Sequence, residues 1–342
     1  MFYNPAMALD RDLAVAFARV WGPQGSADRS GWEVTAATGV RGLRILNESG
    51  AFRAMTLTET QPEAYRVLEQ NSRPYPGARA LHADGRRVPE GAPFDYVDVD
   101  PYGTPVPFLP AAFAAVREGG ILAITATDMM VLAGVQRGAS EERYGARPVR
   151  GRLAPEGGLR ILLAYVAREA RTIDRRIRPL LAYARDHYIR AYLELRGAPA
   201  PTEPDPVGTI DPARWDGPFV GDRGPYGPLW LGPLGASEIV LRLEVPPGSA
   251  RPVELGRFLE RLREESGIDR AFYYEPNRLA KSLGLRAPPS VPDLRDALRA
   301  LGYRSGRTHA RPEGIRTDAP RSVVEEVARA LSRQSQNARV RA

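Results

Sequence analysis

The chain has no cysteine. That excludes disulfides and cysteine-ligated zinc. Histidine is almost as scarce, with only His82, His187 and His309, so no metal site is expected. Lysine is reduced to Lys281, which leaves 47 of the 48 basic residues as arginine. No apolar run reaches the length that spans a bilayer. No apolar segment follows a basic start at the N-terminus. A soluble, cytoplasmic monomer without a membrane partner is expected. The Gly-x-Gly-x-x-Gly spacing of dinucleotide-binding enzymes is also missing, which argues against hydride transfer.

The 342 residues are enough for two domains, and a hydrophobic fraction of 43% supports a full core. Net charge is +7. Arginine suits phosphate because its planar fork donates two parallel hydrogen bonds. Bias toward GC-rich codons accounts for most of the arginine excess, so its distribution is more telling than its total. From Arg304 to Ala342 there are nine arginines and four acids. A basic tail of this kind points to a polyanionic partner such as nucleic acid.

The chain is organised around Asp98-Val99-Asp100-Pro101-Tyr102-Gly103-Thr104-Pro105. The preceding Pro93 to Val97 is rich in β-formers and reads as a buried strand. Pro101 stops the strand and Gly103 lets the chain turn. In open α/β sheets, ligands bind outside the carboxyl ends of the strands. Asp100, Pro101 and Tyr102 should therefore sit at the binding rim. A carboxylate beside a backbone carbonyl can accept both N–H bonds of an exocyclic base amine and draw off a proton as that amine attacks. The neighbouring aromatic offers a face on which a base stacks. Taken alone, Asp-Pro-aromatic-Gly is equally an ordinary strand-ending turn, so its surroundings decide.

Those surroundings form a series. Met7 to Val20 reads as an amphipathic helix and Gly31 to Ala36 as a first strand. Ala36 to Gly42 is then a small-residue turn able to approach a ligand closely. A second strand ends at Glu59, about 20 residues past the glycine turn, where a carboxylate can accept from ribose hydroxyls. Pro62 to Asn71 is a helix. Ala78 to His82 is a third strand, followed by Asp84 and Gly85, where an acid can accept from an adenine amine and a glycine leaves room for the ring. The order fits a class I S-adenosylmethionine-dependent methyltransferase. Pro105 to Arg117 reads as the next helix and Gly119 to Thr127 as an apolar strand. Met129 to Pro155 reads as an irregular insertion over the site. Gly158 to Ile173 is helical, and Arg178 to Arg196 reads as two long strands with His187 in the turn between them. His187 there reads as a structural or RNA-contacting residue rather than a catalytic base. Ala198 to Gly224 reads as a surface excursion, and Tyr226 to Leu234 as closing the sheet region.

With these motifs in hand, the chain resembles the Trm1 family, the tRNA guanine-26 dimethyltransferases, in particular the shorter archaeal-type members. The matching stretches are Phe2-Tyr3-Asn4-Pro5 with Ala8 to Asp12, Ala37 to Gly42, Asp98 to Pro105, Thr125 to Asp128, Asp186 to Tyr188, Tyr226 to Leu234, Arg307 to His309 and Gly314 to Thr317. The resemblance runs nearly end to end. It implies one or two methyl transfers from S-adenosylmethionine to the exocyclic amine of guanine at tRNA position 26. It implies Asp100, Pro101 and Tyr102 as the catalytic set. Arg11, Arg41, Glu59, Asp84 and Gly85 would hold the cofactor. Phe2, Asn4, His187, Arg307, His309 and Arg316 would meet the tRNA. The implied fold is α/β: a Rossmann-like methyltransferase domain over residues 1–235, with an insertion at about 129–157, and a smaller C-terminal α+β tRNA-binding domain over 236–342. This chain departs from the family where a cysteine often follows the Thr-Ala-Thr-Asp block, near Ala133. It also has no zinc-binding extension.

Two other readings stay open on the sequence alone. One is an amino-methyltransferase acting on another nucleic-acid base. The other is a non-catalytic tRNA-binding protein on a relic cofactor fold.

Overall fold

The computed structural model describes residues 4–22, 28–198, 200, 202–218, 221 and 224–341. The first half alternates helix and strand: α1 (Ala8–Trp21), β1 (Arg29–Glu33), α2 (Val40–Glu48), β2 (Phe52–Glu59), α3 (Pro62–Ser72), β3 (Ala78–His82), β4 (Phe94–Val99), α4 (Leu109–Ala115) and β5 (Val116–Ala126). Then come α5 (Met129–Leu132), α6 (Arg137–Tyr144), α7 (Ala154–Arg171), β6 (Arg176–Arg185) and β7 (Tyr188–Arg196). The strands form one seven-stranded sheet in the order β3-β2-β1-β4-β5-β7-β6. β1 to β5 run parallel, while β7 is antiparallel to both β5 and β6. This is the class I methyltransferase order. The crossovers from β1 to β3 and from β1 to β4 diverge at β1, so the crevice opens beside β1 and β4.

The centre of the sheet is apolar on both faces, as a parallel sheet covered by helices requires. On β4, Phe94, Tyr96, Val97 and Val99 are all buried. Each such side chain stabilises by about 1.5–3 kcal/mol, which holds Asp98 inside the sheet. The two long strands expected after α7 are β6 and β7, and His187 lies in their turn. Ile189 pairs with Ala126. That turn therefore shares the sheet end at which Asp100 sits.

Two expectations need correction. The stretch 129–157 is not irregular: it holds α5, α6 and the start of α7. Its Gly- and Arg-rich composition hides a buried seam of Val131, Leu132, Tyr144, Ala146, Val149 and Leu153, which seats it in the main core. The segment Tyr226 to Leu234 does not close the large sheet. Its β9 (Tyr226–Trp230) pairs with β8 (Val207–Ile210) in a separate two-stranded ribbon. That ribbon also gives structure to part of the excursion after Ala198.

The packing of the chain after residue 236 divides in two. After β9 follow α8 (Ser237–Val240), α9 (Pro252–Glu265), α10 (Pro276–Ser282), α11 (Val291–Ala300), β10 (Ser305–Arg307), β11 (Ile315–Thr317) and α12 (Arg321–Arg341). Ile239, Val240, Leu255, Phe258, Leu259 and Leu262 share one core with α1 and the sheet. A separate small core begins only at Tyr274 and gathers Leu279, Leu294, Leu298, Ile315, Val324 and Ala328. α8 and α9 thus complete the sheet's second face. The independent core belongs to the part of the 236–342 stretch that runs from Tyr274 onward.

Candidate active site

The turn after β1 begins the site. Val34 N–H donates to the Asp98 carbonyl at 2.8 Å, and Ala36 N–H to the Thr58 carbonyl at 2.8 Å, so β1 is held open between β4 and β2. Gly39 has φ 77°, a left-handed conformation that suits glycine. It starts α2, whose first turn carries Arg41. Glu33, the last residue of β1, accepts from Gly42 N–H at 3.0 Å and ties the helix start to the strand end.

Glu33 and Asp98 face each other in register on neighbouring parallel strands. Burial pushes the Glu33 carboxyl up to about 8; Arg41 opposes the shift, while Asp98 and Asp100 add to it. Asp98 behaves oppositely. Arg190, crossing from β7, donates to both its oxygens at 2.7 Å. Tyr96 hydroxyl donates to it at 2.6 Å. Burial alone would raise Asp98, but Arg190 and Arg41 bring it below the ordinary range. On that face β5 offers Ala123 opposite Asp98 and Thr125 opposite Arg190. Thr125 Oγ1 accepts from Arg190 Nη1 at 2.9 Å.

Arg41 stands over this pair. Its Nη2 meets Asp10 Oδ2 at 2.5 Å, and its Nη1 pairs with Asp100 and lies 3.6 Å from Asp98 Oδ1. Asp10 is fixed in turn by the Tyr183 hydroxyl at 2.6 Å. Asp100 retains 22% side-chain exposure, against 1% for Asp98. Pro101 is buried, and Tyr102 projects with 75% exposure. Slight burial and the carboxylates Asp100 and Glu59 together raise the Tyr102 phenol. Tyr102 therefore lies within electrostatic reach of both Asp100 and Glu59.

The other cofactor candidates converge on the same sheet end. Glu59 Oε2 accepts from Ala37 N–H at 2.9 Å, and Oε1 from Gln61 N–H at 2.7 Å. Each oxygen keeps a lone pair for a hydroxyl. A Cβ on Gly85 would lie 2.3 Å from the Val34 carbonyl oxygen. The loop after β3 therefore packs directly on the end of β1, and glycine permits that approach. Asp84 sits beside it, pairing with Arg86 at 2.6 Å. Arg11 Nη2 donates to the Asn4 carbonyl at 3.1 Å, and Asn4 Oδ1 accepts from Ala6 N–H at 3.0 Å. Phe2 lies outside the described residues.

S-adenosylmethionine carries a carboxylate, an amine, a ribose and an adenine. The residues present fit it. Thr35 Oγ1 and Arg41 Nε are shielded and lack hydrogen-bond partners among the described residues, and both flank the turn where the methionyl end would lie. Glu59 suits the ribose and the Asp84–Gly85 loop the adenine.

The tRNA candidates divide. His187 is exposed at the rim. Arg307 pairs with Glu264 and keeps 37% exposure. His309 and Arg316 are only 7% and 2% exposed. His309 Nδ1 pairs with Glu265, and its Nε2 accepts from Ala184 N–H at 3.3 Å. Arg316 binds Glu156 at 2.8 Å and Glu265 at 3.0 Å. These two residues fasten the C-terminal unit to α7, α9 and β6. The tail arginines make ion pairs as well. Arg304, Arg307, Arg311, Arg316, Arg321 and Arg329 all pair with carboxylates. Sequence reasoning missed Asp10, Glu33, Asp98 and Arg190. A carboxylate two residues before Asp100 was visible, but the arginine that neutralises it lies 92 positions away.

An open sheet in this order, with a glycine-led turn after β1 and an acid after β2, defines a class I S-adenosylmethionine-dependent methyltransferase. The family model for N2,N2-dimethylguanosine tRNA methyltransferases matches residues 1–203 and 219–329, and the chain belongs to that family. A Thermococcus kodakarensis tRNA (guanine(26)-N(2))-dimethyltransferase is 36% identical, covering 96% of this chain and 92% of the relative. One from Methanoregula boonei is 35% identical over 95% and 89%. Among solved structures, Trm1 from Pyrococcus horikoshii in complex with S-adenosyl-L-methionine superposes with TM-score 0.82 at 30% identity, covering 95% of this chain and 94% of that one. Among the described residues, no helix is long and apolar enough to cross a membrane.

Proposed function

We infer that this chain transfers one or two methyl groups from S-adenosylmethionine to the exocyclic amine of guanine at position 26 of tRNA. The observation that carries the reading is the end-to-end family match together with a half-open carboxylate, Asp100, beside an exposed ring, Tyr102, at the cofactor end of the sheet. The cofactor supplies a methyl group on a sulfonium, which departs as a thioether.

The chain's own residues do the rest. Position 26 is stacked within tRNA, so the base must be drawn out to be reached. Tyr102 stacks on the extruded ring. The Asp100 carboxylate and the Pro101 carbonyl accept the two N–H bonds and aim the amine's lone pair. Asp100 takes the proton that the amine sheds on methylation. Arg41 holds Asp100 from behind and, with Arg11, meets the methionyl carboxylate. Most of the acceleration comes from this positioning. Of the tRNA-contact candidates, His187 and Arg307 are the more exposed. Phosphate contacts of this kind make affinity fall steeply with salt.

The test uses radiolabelled S-adenosylmethionine and two tRNA transcripts, one with guanine and one with adenine at position 26. Label in the guanine transcript alone supports the reading. Equal label in both keeps the methyltransferase but removes the position. Label in neither removes the activity.

A further inference from the structure

The insertion meets the catalytic turn through one polar chain. Tyr144, the last residue of α6, is fully buried. Its hydroxyl donates to Asp128 Oδ2 at 2.8 Å and lies 2.8 Å from Thr104 Oγ1. A phenol has one proton to give. With that proton on the Asp128 carboxylate, the Thr104 hydroxyl must donate to the Tyr144 oxygen. Thr104 Oγ1 in turn accepts from Val106 N–H at 3.3 Å. Arg143 Nη1 also donates to Asp128 Oδ2 at 2.8 Å, so that carboxylate ends the chain as its acceptor. Burial and Asp128 push the phenol well above its usual range, so it stays protonated.

The same dipeptide grips the turn a second time. Gly103 N–H donates to Thr127 Oγ1 at 2.7 Å, and Thr127 N–H donates to the Gly103 carbonyl at 2.8 Å. Thr127 and Asp128 therefore hold the segment at two adjacent points: directly at Gly103, and through Tyr144 at Thr104. Both points lie immediately after Tyr102.

We propose that Tyr144 is a positioning residue for methyl transfer: through Thr104 it sets the turn that presents Asp100 and Tyr102 to the base. The inference rests on Asp100 being the proton acceptor. Geometry at a reacting centre is exacting, and a displacement of about 1 Å can cost on the order of 100-fold in rate.

The experiment measures kcat and KM for methyl transfer to tRNA, with cofactor affinity read separately by calorimetry. Tyr144→Phe should lower kcat by about tenfold or more and leave KM values and cofactor affinity near those of the parent. Thr104→Val should do the same, and Thr104→Ser should restore the rate. The double variant should be no slower than either single one, because both remove one contact. Additive losses, or parental kcat in both single variants, overturn the proposal. Should Tyr144→Phe fail to fold, Thr104→Val on the half-buried turn carries the test alone. If Asp100→Asn keeps its turnover, it is the assignment of Asp100 that fails. If Asp100→Asn is inactive and Thr104→Val is unaffected, only the positioning role fails.

Discussion

Asp98 and Asp100 lie two residues apart at one strand end, yet their carboxylates have opposite surroundings. Asp98 is 1% exposed and clasped at both oxygens by Arg190. Asp100 is 22% exposed and pairs with Arg41 from one side, leaving an oxygen toward the rim. One carboxylate is committed to the interior and the other is available to a ligand. The same alternation of the strand that buries Asp98 with Tyr96 carries Asp100 past the sheet's edge.

The two acids should therefore fail differently when neutralised. Asp98→Asn leaves Arg190 buried without its counter-ion, which costs about 3–5 kcal/mol of stability. Asp100→Asn removes one of the two close carboxylates of buried Arg41 but leaves Asp10, so it should cost less stability than Asp98→Asn, and it should slow single-turnover methyl transfer by roughly 10²- to 10⁴-fold, while cofactor still binds. Urea titration and a rapid-quench assay on both variants check this. Near-normal turnover in Asp100→Asn would remove it from the chemistry.

Tyr102 makes a separate prediction. Its 75% exposure suits a stacking platform for an extruded base. Stacking is worth about 1–3 kcal/mol per base. Tyr102→Ala should then lower kcat/KM for tRNA roughly 5- to 150-fold. Tyr102→Phe, which keeps the ring, should stay close to the parent. Equal losses in both would assign the effect to the hydroxyl instead.

How much of this was legible in the sequence follows from the range of each interaction. β4, the Asp100–Gly103 turn and the acid after β2 are local patterns, and each stands where the sequence puts it. The hairpin around His187 was legible from alternation. Arg190 was not, because an arginine within a strand reads as a solvated charge until its partner on β4 is known. The pairing of the tail was not legible for the same reason. Arg304, Arg321 and Arg329 meet acids of the tail itself, Asp318 and Glu325, but Arg307, Arg311 and Arg316 meet Glu264, Glu275, Glu156 and Glu265, which come from α9, the loop before α10 and α7. The insertion misled through composition: six buried apolar residues are spaced too irregularly among glycine and arginine to show a period.

Glu33 predicts a pH dependence of the opposite sign to an ordinary salt-bridged acid. Its folded value of about 8 lies above the 4.5 of the unfolded chain. Between those values the folded state holds a proton that the unfolded state has lost. Stability contributed by this group therefore falls as pH rises through that window. Glu33→Gln stays neutral throughout. Relative to the parent, the variant should gain stability from about pH 5 to about pH 8, read from urea midpoints at three pH values. A difference that does not change with pH would contradict the protonated state of Glu33.

Arg316 fixes the last prediction, at the far side of the sheet. It joins Glu156 on α7 to Glu265 at the end of α9, and all three side chains are buried. Glu156 also accepts from Phe272 N–H at 2.7 Å, so backbone and side chains of the C-terminal unit meet one carboxylate. Burial would raise both acids, but Arg316 with Arg160 holds Glu156 down at about 2, and His309 with Arg316 holds Glu265 down at about 2. Arg316→Ala keeps Arg160 beside Glu156 but leaves Glu265 with only His309 and the Thr308 hydroxyl. The expected cost is about 3–5 kcal/mol near neutral pH. Because both folded values lie below the unfolded 4.5, this stabilisation is complete above that value and is lost as pH falls toward 2. The gap between parent and variant should therefore be widest at neutral pH and close in acid. Thermal unfolding at about pH 7, pH 4 and pH 3 reads it. A gap that widens in acid would show that the junction is held by packing around Phe272 and Tyr273, with the charges as bystanders.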